Sequence, residues 1–149
     1  MSFLKRVPLP LCGVALGLAA LGNLLAAYSP YLKILCGILA FVGILFVTCK
    51  YLTMSDAFVT DMKNPVTASV SGTYTMALML LAGYIKPILP VFAMILWYVA
   101  IVLHFVLIVY FTLNFILKIK IPDDLMKVVA SYFIVYVGIV VASVTAPAF

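Results

Sequence analysis

Five long runs, residues 7–28, 34–53, 65–85, 88–117 and 128–147, contain a single Asp, Glu, Lys or Arg between them, Lys50. Each is about as long as the ~20 residues a helix needs to cross the hydrocarbon of a bilayer. In hydrocarbon the backbone must satisfy its own hydrogen bonds, and apolar runs of this length do so as helices. A soluble fold is excluded, because a chain of 149 residues with 68% apolar and 9% charged residues and a mean hydropathy of +1.34 has too little polar surface to face water. The expectation is an all-α integral membrane protein, a single transmembrane domain over residues 1–149 with about five transmembrane helices, and no room for a large extramembrane domain.

The breaks between the runs give the organisation. Lys5 and Arg6 before the first run resemble the leading region of a signal peptide, but the run is long enough to cross and no small-x-small cleavage site follows, so it stays as helix 1. Pro30 and Lys33 sit in a short turn, which makes helices 1 and 2 a hairpin. Residues 54–64 place Met54, Phe58 and Met62 at four-residue spacing among Asp56, Asp61 and Lys63, the pattern of a short amphipathic helix lying in the headgroup region. Asn64-Pro65 reads as an N-cap with proline at the first helical position. Lys86, Pro87 and Pro90 break the chain again, and the polar segment with Pro122, Asp123 and Asp124 precedes the fifth run.

Basic residues set the orientation. Lys5, Arg6, Lys50, Lys63, Lys118, Lys120 and Lys127 fall on one side, and only Lys33 and Lys86 on the other. By the positive-inside rule the N-terminus is cytoplasmic, in a multi-pass protein of the cell membrane. The net charge of +5 is scattered over these boundaries and forms no stripe for nucleic acid. Cys12, Cys36 and Cys49 lie inside apolar runs without a CxxC or Cys/His cluster and read as small packing residues. No metal or cofactor motif is present, and HExxH, GxSxG and phosphate-loop patterns are missing, so the chain is read as not an enzyme, with no catalytic residues.

Three features inside the spans carry the functional reading. Gly13 and Gly17 form a GxxxG on helix 1, and Gly138, Ala142 and Thr145 repeat the theme on helix 5; such faces either pack another helix or line a narrow conduit. Helix 3 opens with Thr67, Ser69, Ser71, Gly72, Thr73, Tyr74 and Thr75, with Ser69, Thr73 and Met76 on one face. These hydroxyls either hold an anion without trapping it or bond their own helix backbone. His104 lies at mid-depth in helix 4, where an ionisable group is by default a functional hypothesis. With no Asp or Glu in any span to complete a proton relay, it reads as structural. The same lack of carboxylates disfavours a cation-coupled carrier and favours an anionic or neutral cargo.

The segment VPLPLCGVALGLAALGNL resembles the first helix of the tellurite-resistance/dicarboxylate transporter family, to which plant guard-cell slow anion channels are related. NPVTASVSGTYTMALMLLAGYI, WYVAIVLHFVL and YFIVYVGIVVASVTAP resemble its third, fourth and fifth helices, in order along the chain. The resemblance implies ten helices in five hairpins around a pore walled by the odd-numbered helices, commonly as a homotrimer, so this chain looks like the N-terminal half. It implies that Gly13, Gly17, Ser69, Gly72, Thr73 and Gly138 face the pore, that His104 lies on an outer helix, and that the plugging phenylalanine belongs to the missing ninth helix. The implied partner is a small anionic solute: a C4-dicarboxylate such as malate or succinate, or an oxyanion such as tellurite or sulfite. Ending at Ala146-Pro147-Ala148-Phe149 without a polar tail, the chain is expected to continue in the natural gene. The alternative is a helical membrane scaffold or accessory subunit that transports nothing.

Overall fold

The structure, a computed structural model, describes residues 7–118 and 130–149. Lys5, Arg6, the polar break from Lys120 through Pro122, Asp123 and Asp124 to Lys127, and the start of the fifth run lie outside the described residues. Helix α1 spans Leu11–Leu25, α2 Pro30–Thr53, α3 Ser55–Lys63, α4 Pro65–Val70, α5 Gly72–Ile85, α6 Pro90–Phe111 and α7 Tyr132–Thr145. A π-helical turn, Thr112–Ile116, extends α6, and a 3-10 turn, Ala146–Ala148, ends α7.

Three stretches are long and apolar enough to cross a membrane: Pro30–Thr53, Pro65–Ile85 and Pro90–Ile116. Two apolar helices are shorter. The first, α1, has 15 residues and is therefore about 22 Å long. It starts late because Pro8 and Pro10 supply no amide hydrogens, and the chain there makes a tight turn in which the amides of Leu11 and Cys12 bond the carbonyls of Pro8 and Leu9.

Proline opens α2, α4 and α6 at the first helical turn, where a missing amide hydrogen loses no bond. At Pro65 the cap is complete: Asn64 Oδ1 accepts from the amides of Val66 at 2.9 Å and Thr67 at 3.4 Å. The third span is interrupted at Ser71, so that α4 and α5 follow one another as two pieces.

Helix α5 is the centre of the packing. It buries eight of its 14 residues, whereas the 24-residue α2 buries seven and the 22-residue α6 six. It touches α1 and α2 on one side and α6 and α7 on the other, so the first, third and fifth spans form a row with α2 and α6 behind it. The approach to α1 and α2 is closed by Tyr84, whose hydroxyl donates to the Ala19 carbonyl at 2.6 Å. Its ring fills a notch left by two glycines: a Cβ on Gly37 would come 2.6 Å from Tyr84 Cδ1, and one on Gly22 would strike the Tyr84 hydroxyl. Glycine is required at both positions by this contact.

Helix α3 buries no residue and lies across the ends of α2 and α6. Tyr51 donates from its hydroxyl to Asp61 Oδ2 at 2.8 Å, and Tyr110 donates to the Met62 carbonyl at 3.1 Å. Replacing Asn64 with Ala leaves two first-turn amides without their side-chain acceptor and is expected to lower stability by about 1 kcal/mol. Thermal unfolding in detergent micelles checks this against Thr60→Ala, an exposed position whose change should stay within about 0.5 kcal/mol.

Candidate functional site

His104 is completely buried, and its ring reaches from α6 between α5 and α7. Nδ1 lies 2.6 Å from Thr75 Oγ1, and Nε2 lies 2.9 Å from the Val135 carbonyl oxygen. A carbonyl only accepts, so Nε2 carries the proton, Nδ1 is an acceptor and the Thr75 hydroxyl donates to it. Both ring nitrogens are thus satisfied where water is excluded, and three spans are joined through one imidazole. The sequence points to His104 by its depth; its partners leave no signal, because Thr75 lies in another span and the second partner is a backbone carbonyl.

Of the two glycines beside this ring, Gly138 makes room for it. A Cβ on Gly138 would run into Cε1 and Nε2 of His104 and stand 3.0 Å from Met76 Cε. At Gly72 a Cβ would meet His104 Cε1 and Val135 Cα at 3.6 Å, an ordinary contact distance. Gly72 and Gly138 are therefore brought together around the imidazole, on faces filled by protein.

Gly13 and Gly17 stand apart from that cluster. Nothing lies within 4 Å of a Cβ built on either, and Gly17 is exposed. The same holds for Gly83 on α5, which sequence reasoning did not single out. The first span thus presents a small-residue face that no other described part of the chain covers.

The hydroxyls at the start of the third span are bonded to their own helix. Ser69, Ser71 and Thr73 lie 2.7, 2.6 and 2.8 Å from the carbonyls of Val66, Ala68 and Val70, each three residues earlier, while Thr75 Oγ1 stands 2.9 Å from the Gly72 carbonyl but gives its proton to His104. Ser69 is fully buried and also meets Ser131 Oγ at 2.9 Å, while Thr73 is 8% exposed. A hydroxyl has one proton. When it is committed to the backbone, the oxygen turns lone pairs toward its surroundings, and holding an anion requires the proton to leave the carbonyl.

Lys50, read from the sequence as a boundary charge, is buried with 8% exposure. Its Nζ donates to the Val7 carbonyl at 2.7 Å and stands 5.4 Å from the centre of the Tyr51 ring. It ties the chain entering α1 to the end of α2 and brings a positive charge to that end of the row.

The two kinds of glycine separate by substitution. Gly138→Ala forces the imidazole aside and should destabilise by about 1–3 kcal/mol, as overpacking does. Gly17→Ala meets only open space and should stay within about 0.5 kcal/mol. In a double-mutant cycle measured by unfolding in micelles, His104→Ala should relieve most of the Gly138→Ala effect, because the two positions contact one another.

No characterised protein and no solved structure matches the chain. The sequence profile of the voltage-dependent anion channels matches residues 6–149, and that family comprises anion channels and transporters of membranes, not enzymes. With apolar helices paired into hairpins and a match over nearly its whole length, the chain belongs to the voltage-dependent anion channel family.

Proposed function

We propose that this chain supplies five of the helices of a ten-helix channel or transporter for small anions in the cell membrane, its N-terminus cytoplasmic and its assembly a homotrimer. The cargo class is a C4-dicarboxylate such as malate or succinate, or an oxyanion such as tellurite or sulfite. The uncovered face of α1 at Gly13 and Gly17 borders the path, with Thr73 of the third span beside it. Ser69, Gly72 and Gly138 belong to the wall behind that path, and His104 fixes the wall's position.

The observation that carries this reading is the open space beside Gly13 and Gly17. A GxxxG surface buried against a neighbouring span would be explained by packing alone; here the small residues face away from every described neighbour. The absence of charge along the proposed path fits an anion that must leave as readily as it enters. The same open face also favours a second reading, a scaffold that docks another protein's helix at Gly13 and Gly17 and transports nothing.

Flux measurements separate the two. Proteoliposomes carrying the intact gene product should take up labelled malate, succinate, tellurite or sulfite above protein-free vesicles. Gly17→Leu should block that uptake while leaving the quantity of inserted protein and its oligomeric state unchanged. Absence of uptake for all four anions, together with loss of assembly in Gly17→Leu, would establish the scaffold instead.

A further inference from the structure

A groove of about 700 Å³ runs between α2 and α6, with α5 as its floor and α3 across one end. That volume falls within the roughly 300–1,000 Å³ of built ligand sites. Leu52, Val59, Leu103 and Val106 line it and are exposed, so its open side is left uncovered by the described residues. Apart from Ser55 and Lys63 at its rim, the polar side chains in its walls are already engaged. Thr48 and Tyr74 bond each other at 2.9 Å, Ser71 bonds the Ala68 carbonyl, and Tyr51 and Tyr110 are held by α3. Water would find few partners there. Hydrocarbon fits.

Helix α3 sorts its side chains between two sides. Ser55, Phe58, Val59, Met62 and Lys63, at helical spacing, line the groove; Asp56, Thr60 and Asp61 line a separate polar cleft with Lys50. Among the described residues, the groove is therefore an apolar slot whose rim carries one cation, Lys63, and no carboxylate. The charge sits on the helix that lies at headgroup depth, and the slot extends from it along the two spans. A phospholipid has its own charge and chains arranged in that order.

We propose that this groove binds a phospholipid with a net negative headgroup, its phosphate meeting Lys63 and one acyl chain lying between α2 and α6. The floor of the site includes Thr75, so the acyl chain touches a residue that holds His104. The lipid thereby contacts the packing behind the inner row without entering it.

The test uses the chain reconstituted in phosphatidylcholine vesicles that contain phosphatidylglycerol with a photoreactive diazirine on an acyl chain, followed by peptide mapping. Adducts are expected at Leu103 and Val106 in excess of those at Phe92, an exposed residue of the same helix outside the groove. Unlabelled phosphatidylglycerol should compete roughly fivefold better than phosphatidylcholine, the effect of one basic residue near the surface, and Lys63→Gln should bring the two to parity. Val106→Trp fills the slot from an exposed position and should abolish the excess while leaving Phe92 labelling unchanged; Leu103→Trp is a second variant with the same expectation. Uniform labelling along α6 without headgroup preference would mean bulk lipid contact and overturn the proposal. Disulfide crosslinking between two copies that carry Val106→Cys would also overturn it, by making the groove a protein interface.

Discussion

Because the solvent around this protein is hydrocarbon, helices gain nothing from hiding apolar faces from one another, and close packing and hydrogen bonds must hold them. The bond that most of the arrangement depends on is the pair made by His104. One imidazole accepts from Thr75 on α5 and donates to the Val135 carbonyl on α7, while its own backbone belongs to α6. Removing the ring leaves a space that three spans share; enlarging Gly138 leaves no space for the ring. Tyr84 performs the matching task on the other flank of α5, wedged into the notch of Gly22 and Gly37 with its hydroxyl on the Ala19 carbonyl. Two rings, each seated on glycines and each ending in a backbone carbonyl, therefore fix α5 between its neighbours.

This arrangement gives the glycines of the chain opposite meanings that spacing alone does not distinguish. Gly138 and Gly37 are small because a ring occupies the place of their side chains, and Gly13 and Gly17 are small beside open space. In a water-soluble helix the polar face would announce which side is buried. In these spans nearly every position is apolar, as the exposed Phe92, Val102 and Phe105 and the buried Trp97 and Phe111 on one helix illustrate, so facing has no signature in composition.

What is legible in the sequence is whatever depends on local chemistry. The Asn64-Pro65 cap is visible because both its donor and its acceptor lie within four residues. The amphipathic α3 is visible from the placing of Phe58 and Met62 among Asp56, Asp61 and Lys63, and the hairpins from their punctuating prolines. The split at Ser71 is hidden: Ser69, Ser71 and Thr73 bend back there to carbonyls three residues earlier, a choice of partner that residue type does not announce. Also hidden are Lys50 on Val7 and His104 on Val135, whose acceptors are main-chain oxygens that any residue type would provide at those positions.

The hydroxyl commitments bear on how an uncharged route treats a negative solute. A free hydroxyl offers its proton to an anion, whereas Thr73, bonded to the Val70 carbonyl, must first rotate and leave that carbonyl to its remaining helix bond. The bond gained to the anion is thus offset by one lost to the carbonyl, which between neutral groups contributes about 0.5–1.5 kcal/mol net. A hydroxyl also brings no full positive charge, so it lacks the ion-pair attraction by which a buried ammonium would hold an anion and slow its exit. Lys50, already held by Val7 at one end of the row, brings a positive field to that end, and on the proposed reading such a field attracts anions without supplying a ligand along the path.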